Sequence, residues 1–218
     1  MNTLKYPLVC FDLDGTLVDD TIFIWNTLHQ AFATDLDSRQ RARDDYFSGR
    51  LSYPEWFEHD LKLLDQAGAN QQQIYAILDG LKPMPGAHEL IAALKKRGHR
   101  LAIISGSLDI VVAHLFGEEL FDHLLINRIW FDAAGRIRGG EPTPYDLNGK
   151  AEGLKDIARK EGIPLSATAF IGDNYNDLTI AKTAGFSIAF NCKSDELRQV
   201  CDVEVKEKDL MKLIHLIS

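Results

Sequence analysis

The sequence predicts an α/β fold, a mostly parallel sheet covered by helices on both faces, with a small helical unit inserted after the first strand. Three observations predict it. Short apolar runs alternate with segments of helical period from about Ala87 onward. Three apolar runs, the first of them Leu8–Phe11, end in polar groups, at Asp12/Asp14, Ser105/Gly106 and Asp173. The stretch between Asp19 and Lys82 carries only helical periodicity.

The elements follow in order. Leu8–Phe11 reads as a buried strand. Ile22, Trp25, Leu28, Ala31 and Phe32 recur at spacings of three and four, giving a helix from about Thr21, with Asp19 and Asp20 as candidate caps. A charged stretch holds a loop and a second helix ending near Gly49; its Arg39, Arg41 and Arg43 read as a solvated face. Ser52 or Tyr53 opens a third helix with Pro54 in its first turn, and Asn70 caps a fourth. Ala87–Arg97 is a helix closed by Gly98, and Arg100–Ile104 a strand. Leu108–Phe116 is helical, Leu124–Ile126 a strand, and Ile129–Ile137 a hairpin around Ala134-Gly135. Lys150–Lys160 is helical. Ala169–Ile171, Ser187–Phe190 and Val203–Val205 are strands, Asn176–Ala184 a helix between the first two, and Asp209–Ile217 a final helix. The expected domains are a core of residues 1–18 and 83–218 and a cap of residues 19–82.

The chain has 218 residues, 45% of them hydrophobic, which supports a real core. A formal net charge of −8 disfavours non-specific nucleic-acid binding. Cys10, Cys192 and Cys201 form no metal-site spacing and no complete disulfide framework, so a reduced, cytoplasmic setting is expected. The N-terminal segment reaches Asp12 too early for a signal peptide or a membrane span, and no membrane partner is expected.

Asp12 and Asp14 stand two apart at the end of an apolar run, so an extended backbone points them the same way. Asp14-Gly15 is also an ordinary turn pair, and a solvated turn gives the same pattern. The other strand ends favour a site. Asp12 and Asp173 could hold a hard divalent ion, Mg2+ by the oxygen donors on offer. Lys150, Ser105 Oγ and backbone N–H groups around Gly106 would receive a phosphate, with Gly106 leaving room for the phosphoryl group. Asp12 could then attack phosphorus, and Asp14 could move the proton.

The segments FDLDGTLV, IISGS, the lysine of NGKAEGL, and FIGDNYNDLTIAKTAGFSIAF together resemble the haloacid dehalogenase superfamily of phosphohydrolases, in its phosphoserine phosphatase-like branch. The resemblance implies a Rossmann-like three-layer core with a mobile helical cap. It implies that Asp12 is the phosphoryl-accepting nucleophile, and that Asp14 is the general acid/base and a magnesium ligand through its carbonyl. Asp173 is then a metal ligand, Ser105 and Lys150 the phosphate-binding pair, and Asn176 and Asp177 a supporting pair.

Phosphoserine phosphatases carry a glutamate just after the first motif and a cap arginine that hold the substrate's amine and carboxylate. Ungapped matching puts Thr21 and Asp60 there, with Arg50 and His59 near. Asp60 would face a substrate carboxylate, which is poor electrostatics. The expected substrate is therefore a small phosphate monoester with a cationic leaving group, such as phosphocholine or phosphoethanolamine, or a neutral polyol or sugar phosphate. Tyr53 and Trp56 would offer aromatic faces, and Asp20, Thr21, His59 and Asp60 are further candidate cap contacts. Trp56 and Phe57 equally suit cap core, and His59 a surface position. Phosphoserine itself, a phosphotransferase or mutase reaction, and a non-catalytic binding protein are the alternatives.

Overall fold

A computed structural model describes residues 4–217. The first strand, β1 (Leu8–Phe11), is the middle of a seven-stranded sheet. A two-residue strand β2 (Val18–Asp19) leads to four helices, α1 (Ile24–Ala31), α2 (Leu36–Phe47), α3 (Tyr53–Gln66) and α4 (Gln71–Leu78). β3 (Lys82–Pro83) pairs antiparallel with β2 and returns the chain to the core. The four helices thus hang from a two-stranded ribbon.

The core continues through α5 (Ala87–Arg97), β4 (Arg100–Leu108), α6 (Asp109–Leu115), β5 (His123–Phe131) and β6 (Ile137–Glu141). Then come α7 (Lys150–Glu161), β7 (Thr168–Gly172), α8 (Leu178–Ala181), β8 (Phe186–Phe190), α9 (Asp195–Val200), β9 (Val203–Val205) and α10 (Ile214–Ile217). The strand order is β6-β5-β4-β1-β7-β8-β9, parallel except for β6. Successive strands fan out to either side of β1, so strand order reverses beside it. Ligands of such sheets bind at that crevice, beyond the carboxyl ends.

Alternation along β1 builds both layers. Val9 and Phe11 enter one apolar cluster with Leu90, Ile91 and Leu94 of α5. Leu8 and Cys10 enter the other with Leu154 and Ile157 of α7 and Phe170 of β7. Truncating Phe170, which is fully buried, opens a cavity in that second layer. Phe170→Ala is expected to cost about 3–5 kcal/mol, read as a lower urea midpoint at unchanged slope.

Caps explain where the inserted helices begin. Asp35 accepts from Ser38 N at 2.8 Å, Asn70 from Gln73 N at 3.0 Å, and Ser52 forms a capping box with Glu55. α1 is different from the expectation of Asp19 or Asp20 as cap. No side chain of its own N-terminal turn caps it; Asp14 Oδ2 accepts from Ile24 N at 2.7 Å. Asp19 and Asp20 instead bind Lys208 at 2.6 and 2.7 Å.

Two strands also run longer than periodicity suggests. β4 continues past Ile104 through Ser105-Gly106-Ser107, with a register shift before Leu108 pairs with Asn127. β5 is unbroken from His123 to Phe131. Among the described residues no helix is long and apolar enough to cross a membrane.

Candidate active site

Register brings the polar strand ends together. Phe11 stands opposite Ile103 of β4 and Ile171 of β7. Asp12 follows at once, its N–H donating to Ile171 O at 2.9 Å, while Ser105 and Asp173 each follow two residues beyond. Lys150, at the start of α7, reaches in from behind. Its Nζ donates to Asp12 Oδ1 at 2.8 Å and to Asp177 Oδ1 at 2.6 Å, and the side chain is fully buried. Burial alone would depress this ammonium, but Asp12, Asp177 and Asp146 hold it above its ordinary value, so it stays charged.

Asp14 is held on both oxygens. Oδ2 accepts from Ile24 N and Oδ1 accepts from Ser107 Oγ at 2.9 Å. Burial pushes its carboxyl up to about 7; the Ile24 N–H opposes this and the charge of Asp12 adds to it. A carboxyl with such proton affinity suits proton transfer near neutral pH.

Asp12, Asp173 and Asp177 each offer an oxygen, and these lie within 4.8 Å of one another. Gly15, at φ +77, lets Asp173 approach: a Cβ there would stand 2.3 Å from Asp173 Oδ2. Burial, then Asp12 and Asp177, raise the Asp173 carboxyl, although Lys193 Nζ at 2.6 Å lowers it. Counting Asp14, four buried carboxylates face two lysine ammonium groups. The Oδ1 of Asn176, also buried, has no hydrogen-bond partner among the described residues. All-oxygen donors and surplus negative charge fit a hard divalent cation.

Above this floor lies a cavity of ≈ 350 Å³ roofed by the inserted helices. Two cap side chains reach across to the core. The indole of Trp25 donates to Gly106 O at 2.9 Å. The Tyr53 hydroxyl sits between Asp146 Oδ2, 3.0 Å away, and the Asn127 amide. Tyr53 and Trp56 both line the cavity, and Trp56 stacks on Tyr46 at 5.0 Å.

Asp60 also lines the cavity, but not as a free charge. Its Oδ2 accepts from Arg39 Nε at 3.0 Å, and His29 Nε2 lies 3.6 Å away. This corrects the picture of an acidic cap. The charge of Asp60 is spent within the cap, while Arg39 and Arg43, read as a solvated face, stand on the cavity wall. Arg43 rests over the Phe47 ring at 5.3 Å and has no carboxylate partner among the described residues.

Three further candidates lie away from the cavity wall. Asp20 is exposed and paired with Lys208. The buried Thr21 hydroxyl donates to Asp19 O at 3.2 Å. His59 lies 3.2 Å from Ser38 Oγ and 3.7 Å from Asp60, outside the cavity lining. The room that Gly106 leaves is also taken up differently from the expectation. A Cβ there would come 2.2 Å from Asp146 Oδ2, so the glycine admits Asp146.

Residues 6–185 match a family described as haloacid dehalogenase-like hydrolase. The chain belongs to that family. It falls in the phosphoserine phosphatase-like branch, and its machinery is that of a phosphatase. The phosphoserine phosphatase of Methanocaldococcus jannaschii is 28% identical over 215 residues, covering 98% of this chain and 99% of the relative. That of Archaeoglobus fulgidus is 30% identical over 214 residues, and SerB2 of Mycobacterium tuberculosis is 29% identical over 212. The chain spans only 60% and 50% of the length of those two relatives. A solved phospho-aspartyl intermediate analogue of phosphoserine phosphatase superposes with a TM-score of 0.76 at 29% identity, covering 98% of this chain and 99% of that one. A substrate-bound phosphoserine phosphatase complex gives 0.76 at 27%, with the same coverage.

Sequence reasoning about this haloacid dehalogenase-like hydrolase missed Ser107, Trp25, Asn127, Asp146 and Lys193. Each acts through a partner far away in the chain. The arginines carried a usable signal: Arg39 and Arg43, four apart on α2, share a helix face.

Proposed function

We propose that this chain is a magnesium-dependent phosphomonoesterase whose substrate is a small, carboxylate-bearing phosphate ester, with O-phosphoserine the first candidate. One observation carries the reading: a cavity has the Lys150-bound Asp12 on its floor and, on its cap wall, the guanidinium of Arg43, which has no carboxylate partner among the described residues. A charge-compensated Asp60 removes the basis for preferring a cationic leaving group. The names of the relatives point to phosphoserine as well.

In this mechanism Ser105 and Lys150 receive the phosphoryl oxygens. Asp12 and Asp173 would hold the metal with the carbonyl of Asp14, and Asp177 and Asn176 would support them. Held there, a divalent ion would offset phosphate and carboxylate charge at the floor. An Asp12 carboxylate oxygen forms a bond to phosphorus as the ester P–O bond breaks. Asp14 passes its proton to the departing alkoxide. Water then attacks phosphorus, Asp14 takes its proton, and the acyl-phosphate cleaves to inorganic phosphate and free Asp12. The helices of residues 19–82, as a cap, exclude bulk water and supply Arg39, Arg43, Tyr53 and Trp56 to the leaving group.

Phosphate release over a panel of esters tests this. O-Phosphoserine is expected to outrank phosphocholine and phosphoethanolamine, with turnover lost in chelator and restored by Mg2+. Arg43→Ala is expected to raise the KM for O-phosphoserine relative to that for phosphoethanolamine by about 10-fold or more, the size of a lost charged hydrogen bond. Preference for phosphocholine or phosphoethanolamine in the wild-type protein would overturn the substrate assignment.

A further inference from the structure

Four carboxylates line the cavity among the described residues: Asp12, Asp14, Asp60 and Asp146. Three are committed. Asp12 is bound by Lys150, Asp14 is held by Ile24 N and Ser107 Oγ, and Asp60 is neutralised by Arg39. Thr21, at the position where phosphoserine phosphatases carry the glutamate that holds the amine, has no carboxylate, and its hydroxyl is turned to Asp19 O.

Asp146 is placed differently. It sits in the loop before α7, with Oδ1 accepting from Leu147 N at 2.6 Å and Oδ2 from the Tyr53 hydroxyl at 3.0 Å. Each oxygen has a second lone pair and so can accept another donor. No cation is bonded to it among the described residues. Its carboxylate lies against Gly106, beside the phosphate-receiving end of β4, where no larger residue would leave it space. On its cap side lies Tyr46, whose phenol is raised by burial and then by the charge of Asp146. Arg43 is one helical turn from Tyr46 along α2 and faces the same cavity. The cavity thus carries an acidic group beside the phosphate bed and, on its roof, a guanidinium one turn from Tyr46.

We propose that Asp146, oriented by Tyr53, binds the ammonium group of the substrate's leaving group, so that the site reads a zwitterionic α-amino acid phosphate through Asp146 and Arg43. This assignment rests on the carboxylate-ester reading above. It moves amine recognition from the segment after β1 to the core loop preceding α7. Asp146 is a specificity residue here and takes no part in the chemical step.

The test compares O-phosphoserine with the phosphate ester of 3-hydroxypropionate, which keeps the carboxylate and lacks the amine. The wild-type protein is expected to show a KM for O-phosphoserine at least about 10-fold lower, a charged hydrogen bond's worth. Asp146→Asn is expected to collapse that ratio toward one by raising the KM for O-phosphoserine. Tyr53→Phe, which keeps the carboxylate but frees it, should narrow the ratio in the same direction by a smaller factor. Melting temperatures of both variants separate binding from folding. A KM ratio unchanged in D146N, or an equal weakening of both esters, would show that Asp146 only shapes its loop and would overturn the proposal. Failure of the underlying reading looks different. In that case the wild-type protein favours neither carboxylate ester over phosphocholine, before any variant is made, and this assignment falls with it.

Discussion

Asp12→Asn is expected to abolish turnover and leave the fold intact. The amide is nearly isosteric and still accepts a hydrogen bond from Lys150, whose second bond to Asp177 is untouched. What is lost is the carboxylate oxygen proposed as nucleophile, which stands beside both Lys150 and Asp173. Phosphate release is expected to fall by more than about 10⁴-fold, on the scale of losing a covalent nucleophile. Far-ultraviolet circular dichroism and thermal melting should match the wild-type protein. Rapid quench of the wild type with substrate should trap an acid-stable, hydroxylamine-sensitive phosphoenzyme that D12N cannot form. Turnover of D12N within ten-fold of wild type would remove Asp12 from the mechanism.

Lys150→Met should damage both stability and activity. The ammonium is fully buried between Asp12 and Asp177, and without it two carboxylates remain in a dry site. Removing one member of such a group costs about 3–5 kcal/mol. Turnover should drop by more than about 10²-fold, since the charge proposed to receive the phosphoryl oxygens is gone. The double substitution K150M/D177N separates the two effects. Deleting one orphaned charge should return much of the melting temperature and none of the turnover. Joint recovery of stability and turnover would show that Lys150 serves folding alone.

Part of the floor of the site was legible in the sequence because three of its groups follow apolar runs. Asp12 and Asp173 come directly after β1 and β7, Ser105 follows the apolar half of β4, and parallel register does the rest. Gly98 and Gly162, both left-handed, and the Ser52 capping box marked helix ends for equally local reasons. The cap wall was not legible in this way. Asp60 looks acidic in a linear reading, and only packing of α3 on α2 reveals that Arg39 answers it, 21 residues away. Asp146 meets Tyr53 across 93 residues, and Trp25 meets Gly106 across 81. Such partners depend on how the inserted helices sit over the sheet, which no periodicity encodes. The Asp14 cap on α1 was hidden for a related reason: the capping residue precedes its helix by 10 positions rather than adjoining it.

The indole bond from Trp25 to the Gly106 carbonyl gives this protein an optical label of its own. The ring lies edge-on to Phe57 and is half-buried in the roof. Its one hydrogen bond among the described residues is to the strand that carries Ser105. Any separation of roof from floor exchanges a carbonyl for water at the indole nitrogen, and the emission of that tryptophan shifts to longer wavelength. Trp56 is stacked on Tyr46 within the roof and lines the cavity, whereas Trp130 is exposed on β5 away from it. Stopped-flow fluorescence of the unlabelled chain would therefore report any such separation in real time, with no dye attached.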